Sequence, residues 1–183
     1  MESGTNIVVY FAHLNIERSV INRALSEAVV DLPNVNFRDL HELYPEFFID
    51  VSTEQAVLRD ADLIVFQQPI YWYAATAIFN HFLDTVLLLG FAYGPGGTAL
   101  QGKDFLLAVS TGAPAEEYGP DGIHHYPFEE LIRPIEQTAR FCGMRFLPPL
   151  VLHGGHSLSR ELIDAHAANY RRFLEEYQPA NIS

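Results

Sequence analysis

The chain has 183 residues, 49% hydrophobic and 19% charged, which is ordinary for a globular protein and enough to bury a sizeable core as one domain, 1–183. Asp and Glu number 23 against 11 Lys and Arg, a formal net charge of −12, and such acidity argues against nucleic acid and anionic membrane as partners. The single cysteine, Cys142, excludes an intrachain disulfide and reads as a small core residue.

Ile7–Ala12 is a short apolar run of the kind that forms a strand covered on both faces, and with strand-like residues this near the start no secretory signal is expected. Ser19 then caps a helix predicted to run to about Val30, and Pro33-Asn34 marks a turn. Val35–Arg38 is a second strand, Leu40–Asp50 an irregular stretch, and Thr53–Asp60 a helix with Ser52 as its expected cap. Ala61–Gln67 is a third strand, followed by Pro69 and the aromatics Tyr71, Trp72 and Tyr73. The apolar helix after it, Ala75–Leu88, carries Asn80, His81 and Asp84 and is too short and polar to span a bilayer. Cytoplasmic residence is the simplest expectation. Glycine-rich Phe91–Gly102 is irregular, Phe105–Val109 a fourth strand, Glu129–Phe141 a helix, Phe146–Leu152 a fifth strand and Arg160–Tyr177 the closing helix. Five alternations of strand and helix predict an α/β three-layer sandwich: a five-stranded parallel sheet, order 2-1-3-4-5, with helices on both faces.

In such a sheet, ligands bind at the carboxyl ends of the strands. The first loop places His13, Ser19 and Asn22 at a helix N-terminus, where backbone N–H groups and the Ser19 hydroxyl suit a phosphate and His13 or Arg18 adds charge. The alternative is that Ser19 only caps the helix and Asn22 is solvated. Neither a GxGxxG fingerprint nor a Walker-type loop is present. Pro69, Ile70, Tyr71, Trp72 and Tyr73 bring aromatics and backbone donors to the crevice, either for a flat ring or as a staple holding helix to sheet. Ser110, Thr111, Gly112 and Ala113 supply hydroxyls and amides, and Gly112 permits close approach. Tyr118 and His124 follow on that loop; such a pair can stabilise or donate a proton to developing negative charge, or be an ordinary half-buried aromatic and a solvated histidine. His153 and His156, with a glycine pair between them, lack the third and fourth ligands that zinc requires, so no metal site is expected. No G-x-S-x-G elbow is present, which disfavours an α/β-hydrolase.

Taken together, YFAH and the following Ser and Asn at Tyr10–Asn22, LYPEFFIDV at Leu43–Val51, ADLIVFQQPIYWY at Ala61–Tyr73, GFAYGPGGTALQGK at Gly90–Lys103, STGA at Ser110–Ala113 and FCGM with FLPP at Phe141–Pro149 resemble the flavodoxin-like NAD(P)H:quinone oxidoreductases. The similarity is greatest to the bacterial ancillary flavoproteins of glutathione-regulated potassium-efflux systems, over about Ile7–Leu174. The resemblance implies FMN, with FAD less expected because no added C-terminal domain would wrap an adenine. It implies His13, Ser19 and Asn22 on the phosphate side, Ile70–Tyr73 beside the ring, and Ser110–Gly112 reaching it. It implies Tyr118 and His124 stabilising charge during a two-electron, ping-pong transfer from NAD(P)H to a quinone. It also implies a homodimer, with Tyr71–Tyr73 and Phe91–Gly97 as interface pieces. A regulatory role on a membrane cation/proton antiporter, with peripheral location at the inner face of the cell membrane, and an azo- or nitroreductase activity stay open. Two departures stand out: Gln68-Pro69 where the family commonly has His-Pro, and Ala113 where it often has a second glycine.

Overall fold

The computed structural model describes residues 5–155 and 157–179. Its strands and helices run in chain order as β1 (Ile7–Phe11), α1 (Val20–Val29), β2 (Val35–Asp39), α2 (Leu40–Leu43), α3 (Val51–Asp60), β3 (Leu63–Pro69), α4 (Ala77–Val86), β4 (Asp104–Ser110), α5 (Phe128–Phe141), β5 (Arg145–Phe146), β6 (Leu150–Leu152) and α6 (Arg160–Glu176). All pairings are parallel, and the order is β2-β1-β3-β4-β5, with β6 also on β4, as the alternation of strand and helix predicts.

Every residue of β1, β3 and β4 is buried, which explains their unbroken apolar runs. Successive side chains point to opposite faces. Ile7 and Val9 meet α1 and α6 through Ile21, Leu25, Val29, Ile163 and Tyr170. Val8 and Tyr10 meet α3, α4 and α5 through Leu58, Phe79, Phe82, Ile132 and Ile135. The predicted three layers therefore have two cores, one on each side of the sheet.

Several boundaries differ from the sequence reading. The fifth strand is two pieces, because Pro148-Pro149 lacks the N–H groups a ladder needs; β5 and β6 pair with separate stretches of β4. The cap of α3 is Asp50, not Ser52: its carboxylate accepts from the Thr53 N–H at 3.1 Å and from both the Ser52 and Thr53 hydroxyls. The stretch read as irregular contains the one-turn helix α2, capped by Asp39.

Polar ties secure the ends of the layers. Fully buried Glu54 accepts from the Tyr10 hydroxyl and Arg38 Nε, both at 2.9 Å, and also pairs with the Tyr44 hydroxyl and the second Arg38 nitrogen. Burial and the adjacent carboxylate push the Tyr44 phenol up to about 12. At the base of β4, Asp104 accepts two bonds of 2.6 Å from Arg145 and one of 2.6 Å from the Tyr177 hydroxyl. No helix among the described residues is long and apolar enough to cross a membrane.

Candidate functional site

The carboxyl ends of β1, β3 and β4 open into a cleft of about 610 Å³. His13, Ser19, Asn22, Pro69, Ile70, Tyr71, Ser110, Thr111 and Gly112 line it, and so do Asn15, Arg18 and Gly155. Beside it lies a lobe of about 210 Å³, bounded by Ile70, Trp72, Tyr73, Gly112, Ala113, Tyr118 and His124. Ile70 and Gly112 belong to both walls, so the two lobes adjoin. Every candidate site residue named from the sequence lines one lobe or the other.

The first lobe is built on the N-terminus of α1. Ser19 does cap this helix, its Oγ accepting from the Asn22 N–H at 3.1 Å, and yet its hydroxyl also borders the cleft. Asn22 is buried, not solvated: its side-chain amide donates to Ser110 Oγ at 2.9 Å and to Ser19 Oγ at 3.3 Å, joining α1 to the end of β4. Its Oδ1 is buried with no partner among the described residues. The first N–H groups of a helix have no intrahelical partner and carry a partial positive charge. With Arg18 and the Ser19 hydroxyl they form a donor set suited to an anion.

His13 contributes differently from the expected charge. Its Nδ1 accepts the Asn15 N–H at 3.1 Å, which leaves the proton on Nε2, 3.1 Å from the Tyr71 hydroxyl. Burial, reinforced by nearby His41, holds its pKa below the usual histidine value. The ring is neutral at pH 7, so Arg18 is the cation of this lobe.

The second lobe is aromatic. Tyr71–Ala74 is a tight hairpin turn closed by Tyr71 N–H to Ala74 O at 3.2 Å and Ala74 N–H to Tyr71 O at 3.1 Å. Trp72 and Tyr73 occupy its centre with φ of 47° and 64°, a left-handed geometry normally left to Asn and Gly. Trp72 is 92% exposed, so it is no staple between helix and sheet. That structural duty falls instead to Gln68, whose Oε1 accepts from the Thr76 N–H at 2.8 Å and from the Thr76 hydroxyl at 3.0 Å, just before α4. Across the lobe, the Tyr118 ring stacks on His124 with centroids 4.5 Å apart and planes at 19°. His124 Nδ1 is 3.3 Å from the Tyr73 hydroxyl, and its Nε2 lies 3.9 Å from the Glu117 carboxylate.

Sequence reading missed Asn15, Glu117 and Gly155 as neighbours of the cleft. Gly155 packs closely: a Cβ there would stand 3.0 Å from Ile21 Cδ1 and 3.1 Å from Thr111 O. The Gly154-Gly155 pair was visible, but only as a spacer between histidines. No group of three or more His, Cys, Asp or Glu side chains comes together among the described residues, and His156 lies outside them.

The family model described as a flavodoxin-like fold matches residues 5–174. The glutathione-regulated potassium-efflux system ancillary protein KefG of Cronobacter sakazakii is 40% identical over 176 residues, 96% of each chain. A structure named as a thermophilic tryptophan halogenase from Streptomycin violaceusniger is 42% identical, with a TM-score of 0.89 over 93% of this chain and 99% of that one. General stress protein 14 of Treponema denticola, solved in complex with FMN, is 35% identical, with a TM-score of 0.89 over 94% and 99%. An NADPH-quinone reductase from P. pentosaceus is 27% identical, with a TM-score of 0.83 over 98% and 100%. The matched span, the strand order and these relatives show that the chain belongs to the flavodoxin-like family that includes the KefG ancillary proteins.

Proposed function

We propose that this chain is a flavin-dependent NAD(P)H:quinone oxidoreductase that binds FMN as a homodimer through its single domain, 1–183. The observation that carries the reading is the adjacency of a donor-lined lobe at the N-terminus of α1 to an aromatic lobe walled by Tyr118 and His124. The relatives differ in the chemistry their names state, so the reading rests on this two-lobed cleft.

The donor set fits such a cofactor. The Ser19 hydroxyl, the first N–H groups of α1 and Arg18 would hold the phosphate. The unpartnered Oδ1 of Asn22 is an acceptor for a hydroxyl of the connecting chain. Ile70, Trp72 and Tyr73 would pack on one side of the ring, with Gly112 and Ala113 at its edge and Thr111 next to them on the wall of the first lobe. The chemistry supplied by a bound flavin is two-electron hydride transfer from a reduced nicotinamide to a quinone, in ping-pong order. The protein's part is to position both partners, exclude water with the aromatic turn, and hold Tyr118 and His124 where negative charge develops.

Anaerobic titration of FMN-reconstituted protein with NADPH and then NADH, followed near ~450 nm, a property of the cofactor, tests the reading. Bleaching followed by recovery on adding a quinone supports it. Failure to bind FMN, or to bleach with either nucleotide, overturns it. The 40% identity to KefG over 96% of both chains favours a second reading, an ancillary subunit of a membrane cation/proton antiporter with peripheral location and secondary reductase activity. Co-purification with such a transporter, with a change in its flux, is the test of that role.

A further inference from the structure

We propose that His153 is a positioning residue for the ring lobe: its Nδ1–H fixes the Thr111 hydroxyl, and through it the Thr111–Ala113 rim, while its ring backs Tyr118. The proposal rests on the flavin reading for its functional meaning, although the bracket it describes is a property of the protein alone. His153 lines neither lobe and entered the sequence reading only as a discarded metal ligand.

The rim continues beyond the last residue of β4, where a strand would ordinarily be free to fray. Here it is clamped by the last residue of β6 and the segment after it. The Thr111 N–H donates to Leu152 O at 3.1 Å, the Gly155 N–H to Thr111 O at 2.9 Å, and the Gly154 N–H to Ala113 O at 2.8 Å. The Thr111 hydroxyl donates to the same Ala113 carbonyl at 2.8 Å. Its single proton is thereby committed, so its 2.9 Å contact with His153 Nδ1 must run from the imidazole N–H to the hydroxyl oxygen. That assigns the Nδ1–H tautomer and makes a relay from His153 through Thr111 to Ala113.

The other face of His153 meets the pair expected to work on the ring. Its centroid is 5.4 Å from that of Tyr118 and 4.8 Å from that of Phe128, perpendicular to the latter. Tyr118 in turn lies flat on His124. Among the described residues, the titratable groups around it are Tyr118, His124 beyond it, and Glu129 at the start of α5. Burial outweighs the pull of Glu129 and keeps the imidazole below its usual pKa, so it is neutral at pH 7. One side chain therefore touches both walls of the ring lobe, the backbone rim and the Tyr118–His124 stack, without entering it. The glycines that follow let the bracket close: Gly154 has φ of 79°, and a Cβ at Gly155 would crowd Ile21 and the Thr111 carbonyl.

The test uses His153→Phe, which keeps the aromatic packing and removes the donor, His153→Asn, which puts an amide N–H near the Nδ1 position, and Thr111→Val. Amide hydrogen exchange of the flavin-free protein reads the rim directly, and FMN quenching reads its effect on binding. His153→Phe should speed exchange at Thr111, Gly154 and Gly155, whose N–H groups form the clamp, about tenfold and weaken FMN by a similar factor, the size of one lost hydrogen bond. His153→Asn should restore most of both. Combining His153→Phe with Thr111→Val should add little to either alone, because the two share one relay. Wild-type exchange at the rim in His153→Phe, or additive effects in the double variant, overturns the proposal. A wild-type chain that does not bind FMN, but whose rim loosens in His153→Phe, keeps the bracket and removes the flavin reading. A chain that binds FMN equally well with and without the relay, and exchanges alike, does the reverse.

Discussion

Asn22 meets three demands at once: its N–H satisfies the Ser19 cap, its amide reaches Ser110 across the cleft, and its Oδ1 faces no partner. Replacing it with Ala removes the bridge and exposes Ser110, and FMN affinity measured by fluorescence quenching should fall about tenfold, the size of one or two polar contacts. Tyr118→Phe is a different kind of change. The stack on His124 survives while the hydroxyl goes, so affinity should hold within about twofold while single-turnover reduction by NADPH slows by at least about tenfold in stopped flow. Equal losses in both would assign Tyr118 to binding instead. At this scale the lobe-lining residues were legible because each follows an apolar strand in the chain and carries a donor or a ring. His153 and Glu117 were not, because what places them is proximity across the fold: Thr111 and His153 are 42 positions apart and Glu117 acts through its approach to His124.

Among the elements, the helices owe their starts to single side chains. Asp50→Ala strips three hydrogen bonds from the first turn of α3 and should cost about 1 kcal/mol in urea unfolding, with Ser52→Ala costing much less. The Tyr71–Ala74 turn runs the other way, since it holds two aromatic residues in a geometry that costs each roughly 1–2 kcal/mol. Putting Asn-Gly in place of Trp72-Tyr73 should therefore raise the unfolding midpoint and weaken ring binding together, because Tyr73 and its contact with His124 are lost. A variant that gains stability and keeps FMN affinity would show that the turn has no part in the site. The strand order was readable from the period of the pattern, and the seams were not. Ser52 looked as good a cap as Asp50, and Phe146–Leu152 read as one strand although Pro148-Pro149 divides it.

The molecule as a whole is acidic, yet its sensitivity to acid centres on histidines. Burial is the leading cause holding His13, His153 and His166 below their usual pKa. The unfolded chain takes up protons at the ordinary value of about 6.5 before these folded sites do, so their stabilising effect is complete above that pH and is lost as pH falls toward the depressed values. Urea midpoints should be flat from about pH 8 to 7 and decline below about 6.5, ahead of the carboxylates. His153→Asn should reduce that decline. Glu54 matters through its contacts: with Arg38, Tyr10 and Tyr44 gathered on it inside the fold, Glu54→Leu leaves a guanidinium unpaired and should cost about 3–5 kcal/mol.

Trp72 is the chain's one tryptophan and stands almost wholly in water at the lip of the ring lobe. In the single chain its indole emission is therefore already that of a solvated chromophore. Denaturant will shift that signal little, so a flat trace will accompany a real unfolding transition and circular dichroism must be used to follow it. Any flat ring entering the lobe will quench or blue-shift the same emission, which turns the protein's only tryptophan into a reporter of occupancy and not of folding.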